Sequence, residues 1–109
     1  MDVSLRRKLI ESGMTDFQVS VLEATSRIPK GHVKTYKEIA IEIGHPNACR
    51  AVGTALRKNP FPITIPCHRV IKSNGEPGKY SGKSGTRKIG LLQREGVEIS
   101  RGIVNFKKK

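Results

Sequence analysis

The chain is 109 residues long, and its 21 Lys and Arg outnumber its nine Asp and Glu to give a formal net charge of +12. This length allows one small domain with a single core. No apolar run reaches the ~20 residues of a membrane-spanning helix, and the first residues lack the apolar segment of a secretory signal. The two cysteines form no paired motif, which predicts a reducing cytoplasmic compartment without disulfides, bound metal or membrane association.

The positive charge is the most informative property of the composition. Basic residues are spread along the whole chain and also form the tail at residues 107–109. A balance of this kind predicts a polyanionic partner, and nucleic acid is the first candidate. A basic protein that is merely soluble or heat-adapted is the alternative.

The first half of the chain predicts short helices. Residues 1–14 have weak helical spacing, and Thr15 or Asp16 is expected to cap the helix that follows. Thr35 and Glu38 form a capping-box pattern, so a further helix is expected to begin there and to stop near Gly44.

Residues 48–58 predict another helix, with Asn47 as a plausible cap. Its outer face carries Arg50, Thr54 and Arg57 at helical spacing. The inward positions are expected to be Ala48, Ala51, Val52, Ala55 and Leu56. Two short helices joined by a turn, the second of them basic on its outer side, predict a helix-turn-helix, although an ordinary helical hairpin has the same pattern.

A proline-rich segment follows these helices. Three of the six prolines, Pro60, Pro62 and Pro66, lie within seven residues. Proline lacks an N–H donor and forces the residue before it into extended space. We therefore expect no helix here, but a stiff extended connector that places Cys67 and the residues after it.

The last third of the chain is expected to hold short strands and one helix. Residues 70–72 predict a strand, and residues 78–85 a glycine- and serine-rich loop. Thr86 is expected to cap a helix that ends near Glu95. Residues 97–106 are expected to form a small hairpin or extended strips on the core. Nothing divides the chain into two domains.

Cys67 is the residue whose surroundings best fit nucleophilic chemistry. An ordinary thiol is only a few per cent thiolate at neutral pH, so a nucleophile needs a base. His68 is adjacent, but neighbouring side chains of an extended segment point in opposite directions, so contact requires a bend or a bridging water. Glu95 and Glu76 are the nearest downstream carboxylates that could orient the imidazole. The residues alone leave open whether Cys67 is a nucleophile or a small buried core residue; Cys49 is expected to be structural.

The order of motifs closely resembles that of the O6-alkylguanine-DNA alkyltransferases. The motifs are RAVG at residues 50–53, NP at 59–60, PCHRV at 66–70 and YSG at 80–82. The resemblance runs from about Thr15 to Ile99. It implies a mainly α fold with short strands, in the form of a winged-helix-like helix-turn-helix domain of the alkyltransferase catalytic type.

The resemblance also implies the chemistry. Cys67 would accept an alkyl group from O6 of guanine in DNA, irreversibly and once per protein molecule. His68 would remove the thiol proton through a water, with Glu95 behind it. One extra residue precedes Glu95 relative to the family pattern. Asn59 would brace the turn that carries the cysteine. No cofactor and no metal are implied.

DNA contacts are implied for a larger set of residues. Tyr36 would turn the damaged nucleotide out of the duplex, and Arg50 would fill the gap that it leaves. The full set comprises Tyr36, Arg50, Ala51, Gly53, Thr54, Arg57, Val70, Tyr80 and Ser81. Docking of the second helix in the minor groove would make binding independent of sequence.

The resemblance divides the chain into an N-terminal extension at residues 1–14, the catalytic domain at 15–106 and a basic tail at 107–109. Family members usually carry an additional N-terminal domain. A monomer is expected, in the cytoplasm and on the nucleoid if the source is prokaryotic. Related alkyltransferase-like proteins only recognise the lesion, because tryptophan replaces their cysteine; this chain has no tryptophan. A sequence-specific helix-turn-helix regulator is a third alternative.

Overall fold

The computed structural model of the chain describes residues 3–61, 65–76, 86–101 and 103–104. The predicted pocket residues Tyr80 and Ser81, and the tail at residues 107–109, lie outside these ranges. The elements, in chain order, are α1 (Val3–Glu11), α2 (Asp16–Ser26), β1 (Lys34–Thr35), α3 (Tyr36–Glu42), α4 (Cys49–Arg57), a 3₁₀ turn (Cys67–Arg69), β2 (Val70–Ile71), α5 (Thr86–Arg94), β3 (Ile99–Ser100) and β4 (Ile103–Val104). The prediction of a mainly helical fold with short strands is confirmed. Among the described residues, no helix is long and apolar enough to cross a membrane.

Capping boxes set the starts of α2 and α3. The Thr15 hydroxyl accepts a hydrogen bond from Gln18 N at 3.1 Å, and the Gln18 side chain accepts one from Thr15 N. Thr35 and Glu38 make the same reciprocal pair at the start of α3. Each box satisfies backbone N–H groups that the first helical turn leaves without partners. Both predicted helix starts are confirmed, with Thr15 rather than Asp16 as the cap.

The helix-turn-helix consists of α3, a tight turn and α4. Gly44 in the turn has a φ of +84°, a left-handed conformation that glycine adopts without strain. The prediction that Asn47 caps α4 is wrong, because Ala48 is the cap residue and makes no side-chain bond. Ala48 N–H instead donates to the carbonyl of His45, so the turn is closed by the backbone. Ala51, expected to face inward, is exposed on the outer side of α4.

The main core is formed by helices α1, α2, α3 and α4 together with the segment around the 3₁₀ turn. Its fully buried side chains include Leu9, Val19, Val21, Leu22, Ile39, Val52, Ala55, Ile65 and Val70. A second, smaller cluster of Ile71, Leu92, Val97 and Val104 joins β2, α5 and the C-terminal strands. The 3₁₀ turn therefore lies between the two apolar clusters, with the main core before it and the smaller cluster after it.

Within the described residues, two pairs of very short strands accompany the helices. In the first, β1 and β2 run parallel, with Lys34 opposite Val70 and Thr35 opposite Ile71. This pairing joins residues far apart in the chain, at the start of α3 and just after the 3₁₀ turn. In the second pair, β3 and β4 are antiparallel, so the hairpin expected within residues 97–106 is confirmed.

The extended backbone expected of the connector does not continue through Cys67 and the residues after it. Cys67 begins a 3₁₀ turn, in which Arg69 N donates to the carbonyl of Pro66 at 2.9 Å. Pro66 restricts its own φ and the residue before it, but the next proline is Pro77, so the chain is free to bend at Cys67. This bend is the local departure from extended backbone that a shared site for Cys67 and His68 requires.

Candidate active site

Cys67 lies at the first position of the 3₁₀ turn and is 4% exposed. Burial raises the pKa of its thiol, while a hydrogen bond with Asn59 and the positive charge of Lys88 act in the opposite direction. Because burial outweighs both stabilising contributions, the resting group is a thiol. A neighbouring base is therefore needed to make it a nucleophile.

Asn59 joins the two ends of the proline-rich segment. Its Nδ2 donates to the carbonyl of Ile65 at 2.9 Å, and its Oδ1 accepts from the N–H of Phe61 at 2.8 Å. The side chain is buried, so both bonds are shielded from water. These contacts lie where a brace for the cysteine-bearing turn would have to act.

His68 and Glu95 form a pair in which the imidazole is buried and the carboxylate is half-buried. His68 Nε2 lies 2.9 Å from Glu95 Oε2, and the imidazole is 1% exposed. Burial lowers the pKa of His68 more than Glu95 raises it, and the charges of Arg69 and Lys88 also lower it. The imidazole is therefore neutral at pH 7. A neutral ring facing a carboxylate carries its proton on Nε2, which makes Nδ1 the basic nitrogen.

Arg69, which sequence reasoning did not single out, holds Glu95 in a two-bond fork. Its Nε donates to Glu95 Oε1 at 2.9 Å and its Nη2 to Oε2 at 2.7 Å, while Nη1 donates to the carbonyl of Ile28 at 2.7 Å. The hydrogen bonds from Arg69 are the main reason why the pKa of Glu95 falls to about 2. Glu95 is thus a fixed carboxylate. The alternative carboxylate, Glu76, is exposed and pairs with Lys72.

Lys88 is the second residue that sequence reasoning missed. It is 1% exposed, and its Nζ lies 3.4 Å from the Tyr36 hydroxyl and 5.5 Å from the centre of the Tyr36 ring. Burial lowers the pKa of Lys88 to about 8, although the nearby Cys67 opposes the shift. The signal was present in the sequence, because Lys88 stands one helical turn before the apolar Leu91 and Leu92 and so shares their inward face.

Tyr36 begins α3 and is half-buried. Burial raises the pKa of its hydroxyl, the charge of Cys67 raises it further, and Arg57 opposes both. A Cβ added at Gly53 would lie 4.0 Å from the Tyr36 ring, so the ring rests close to the backbone of α4. Tyr36 therefore connects the surroundings of Cys67 with the helix-turn-helix.

The outer face of α4 is basic and partly made of small residues. Arg50, Ala51 and Arg57 are exposed, whereas Gly53 and Thr54 are half-buried. Arg57 Nη2 donates to Thr54 Oγ1 at 3.3 Å, and α4 contains no acidic residue. This face can approach a polyanion without charge repulsion from the helix itself.

Of the other predicted contact residues, Val70 is fully buried as the first residue of β2. Cys67, His68, Glu95, Asn59 and Tyr36 are thus brought into one neighbourhood, with Arg50 and its neighbours on the adjacent surface. In the part of the chain that the structure describes, no three His, Cys, Asp or Glu side chains are grouped as a metal site. Both cysteines are free thiols.

Comparison with known proteins gives a consistent result. Residues 16–97 match the family model for the 6-O-methylguanine DNA methyltransferase DNA-binding domain. A methylated-DNA–protein-cysteine methyltransferase from Methanosarcina barkeri is 55% identical over 74 residues, covering 68% of this chain and 46% of the relative. The protein of that name from Rattus norvegicus is 52% identical over 67 residues, covering 62% and 32%.

Solved structures resemble the fold as well. Mycobacterium tuberculosis OGT in complex with DNA superposes with a TM-score of 0.72 at 48% identity, covering 75% of this chain and 50% of that one. Schizosaccharomyces pombe Atl1, in complex with damaged DNA containing O6-carboxymethylguanine, gives 0.71 at 39% identity, covering 86% and 91%. The chain spans less than half the length of the first two curated relatives that it matches. By the match over residues 16–97 and these identities, the chain belongs to the 6-O-methylguanine DNA methyltransferase family.

Proposed function

We propose that this protein repairs DNA by transferring an alkyl group from O6 of guanine to Cys67, irreversibly and in a single turnover. The observation that carries the proposal is the position of Cys67 beside two polar pairs. His68 and Glu95 form the first pair, and Tyr36 and Lys88 form the second. The names of the relatives, methylated-DNA–protein-cysteine methyltransferases, support the same reaction.

The first step is removal of the thiol proton. His68 is neutral and accepts the proton at Nδ1, through the water that the family resemblance implies. Glu95 stabilises the resulting imidazolium. Arg69 keeps the Glu95 carboxylate ionised, and its two hydrogen bonds to the two carboxylate oxygens fix the orientation of that group. The thiolate that remains is the nucleophile.

The second step is alkyl transfer. The sulfur of Cys67 attacks the alkyl carbon, so an S–C bond forms as the C–O6 bond breaks and the electron pair passes to the purine. Tyr36 donates a proton to the departing guanine, which would otherwise leave as an anion. The product is a thioether without an ionisable S–H, so the protein acts once.

The reacting atom has to be brought out of the duplex before either step. Extruding a nucleotide costs a few kcal/mol, and less for a damaged and poorly paired base. We assign Tyr36 to turning the nucleotide out and Arg50 to the gap in the stack. The small residues Ala51 and Gly53 allow α4 to approach the minor groove closely, where reading is largely independent of sequence.

The decisive experiment is intact-mass spectrometry after incubation with a duplex that contains O6-methylguanine. We expect the mass of the protein to increase by one methyl group in place of a hydrogen, and peptide mapping to locate it on Cys67. A Cys49→Ala variant serves as the control and should still be methylated, while Cys67→Ala should not. An unmodified protein that still binds the duplex would refute the proposal.

A lesion sensor is the second candidate. The observation in its favour is the similarity to Atl1 of S. pombe, whose length this chain covers to 91% in a complex with damaged DNA. A sensor would bind the lesion tightly, would recruit other repair proteins, and would be unaffected in binding by Cys67→Ala. Retention of Cys67 beside His68 and Glu95 favours the transferase.

A further inference from the structure

We propose that Lys88 acts through Tyr36 as the source of the proton that the departing guanine receives. The inference rests on the proposed function, and it adds a residue that neither the motifs nor the names of the relatives assign. Tyr36 is the donor that touches the purine, and Lys88 replaces the proton that Tyr36 loses. Lys88 thus acts as a positioning residue, because it affects the purine only through the hydroxyl proton of Tyr36.

The geometry places the ammonium group against the phenol. Lys88 Nζ lies 3.4 Å from the Tyr36 hydroxyl, near the upper limit for a hydrogen bond, and only 1% of the residue is exposed. In the part of the chain that the structure describes, no carboxylate forms an ion pair with Lys88. A buried ammonium without a carboxylate is costly to maintain, so its retention here calls for a chemical reason.

Burial makes Lys88 a better acid than Tyr36. In water the two groups have similar pKa values, with tyrosine slightly the stronger acid. In this structure burial lowers the pKa of Lys88 to about 8 and raises that of Tyr36. A tyrosinate formed when guanine takes its proton is therefore reprotonated by Lys88 in a downhill step.

The charges around the two groups favour the timing of this transfer. The charge of Cys67 raises the pKa values of both Lys88 and Tyr36. Arg57 on α4 acts on Tyr36 and lowers its pKa. The ammonium group of Lys88 in turn lowers the pKa of His68. Once the thiolate has become a thioether, its negative charge no longer holds the proton on Lys88. Release of that proton is thus coupled to the loss of the nucleophile's charge.

The step balances in atoms and charge. The S–C bond forms, the C–O6 bond breaks, and the electron pair goes to guanine. The hydroxyl proton of Tyr36 passes to the purine, and a proton from Lys88 Nζ passes to the Tyr36 oxygen. A thiolate and an ammonium are replaced by a thioether and a neutral amine, so the net charge of the trio is unchanged.

Lys88→Arg provides the sharpest test, because arginine keeps the positive charge but does not release its proton. We would measure single-turnover transfer from a duplex with O6-methylguanine, and in parallel alkylation of Cys67 by iodoacetamide, which needs no proton for a purine. Lys88→Arg and Lys88→Gln should each slow transfer from DNA by about 10²-fold, in line with general acid catalysis. With iodoacetamide, Lys88→Arg should react at nearly the wild-type rate.

Two further readouts separate this role from a structural one. The wild-type rate with DNA should fall as pH rises above about 8, and both Lys88 variants should lose this alkaline decline. Lys88→Arg combined with Tyr36→Phe should be no slower than Tyr36→Phe alone, because arginine keeps the positive charge that favours the Cys67 thiolate. Lys8→Gln, the same charge loss on an exposed residue of α1, should have no effect on either reaction.

The inference is overturned if Lys88→Arg, shown to be folded by its circular dichroism spectrum, transfers the methyl group at the wild-type rate. Equal slowing of both reagents by Lys88→Gln would also overturn it, because Lys88 would then only stabilise the thiolate. A wild-type protein that takes no methyl group from DNA would instead refute the proposed function. The two failures are therefore distinguishable.

Discussion

His68 Nε2 lies 2.9 Å from Glu95 Oε2, although the two residues are 27 positions apart in the chain. The contact forms because the 3₁₀ turn brings the imidazole to the end of α5, where the helix has just stopped at Arg94. Its consequence is a neutral imidazole that is oriented by a permanently ionised carboxylate, with the buried Nδ1 as its basic nitrogen. This pairing provides the first of four predictions.

Glu95→Gln should slow alkyl transfer without preventing DNA binding. The amide retains the size of the side chain but no longer stabilises a protonated His68, and general-base contributions are typically at least about 10²-fold. Single-turnover transfer measured at saturating DNA should fall by about that factor. Glu76→Gln is the matched control, because Glu76 is exposed and pairs only with Lys72, and its rate should remain that of the wild type. Equal rates for the two variants would rule out Glu95 as the partner of the base.

Asn59→Ala should destabilise the fold. The substitution leaves the carbonyl of Ile65 and the N–H of Phe61 without their buried partner, and such groups cost about 1–3 kcal/mol each when unsatisfied. Urea unfolding should show a lower midpoint with an unchanged slope. Asn74→Ala is the control, since the Asn74 side chain accepts one exposed bond from Glu76 N and its loss should be nearly neutral.

Lys88→Met should make the protein more stable at neutral pH. Because the folded-state pKa of Lys88 is about 8 and the ordinary pKa of lysine is 10.5, the folded state holds this proton less firmly than the unfolded chain does. Lys88 therefore destabilises the fold below pH 8, and the penalty disappears as pH rises from about 8 toward 10.5. Removing a buried charge of this kind can stabilise a protein by about 1–3 kcal/mol.

The measurement is denaturant unfolding of Lys88→Met and the wild type at a series of pH values. The stability difference should be greatest near neutrality and should shrink in the alkaline range. Lys8→Met, at an exposed position, is the control and should leave the free energy of unfolding nearly unchanged. A Lys88→Met protein that is less stable at every pH would contradict the assignment of a buried ammonium that is costly to hold.

Arg57→Gln should weaken DNA binding and reduce its dependence on salt. Each phosphate contact contributes about 0.9 to the slope of log affinity against log salt concentration, because binding releases a counterion. Titration of damaged and undamaged duplexes should show a slope lower by about one for both. Arg7→Gln is the control on α1, also exposed, and should leave the slope unchanged. A slope change confined to Arg7→Gln would place the DNA against α1 and not against α4.

Local features of the sequence determined most of the correct predictions. The starts of α2 and α3 follow from capping boxes at Thr15 and Thr35, which act over three residues and need no tertiary information. The end of α3 follows from Gly44 for the same reason. The prediction of a cap at Asn47 was wrong because a backbone hydrogen bond closes that turn. The preference of asparagine for cap positions does not reveal whether the backbone will close a turn without a side chain.

Long-range features could not be predicted from local patterns. The parallel pairing of Lys34 with Val70 depends on how α3 and the 3₁₀ turn pack on α2, and two-residue strands have no periodicity to detect. Lys88 was overlooked because lysine is normally exposed, even though its spacing to Leu92 marks an inward position. Glu95 was assigned by family resemblance, and only the folded chain reveals that Arg69 holds it.

The pairing of β1 with β2 has a consequence for the lesion range of the proposed repair reaction. Thr35 lies opposite Ile71 in this pair of strands. Thr35 directly precedes Tyr36, and Ile71 follows Cys67 by four residues, so the main chain fixes the separation between the phenol and the sulfur. Backbone spacing of this kind does not adjust to the size of the alkyl group. Tolerance for bulky alkyl substituents therefore has to be set by the side chains that line the space between them, and exchange of those side chains is the route by which relatives of this chain would diverge in lesion range.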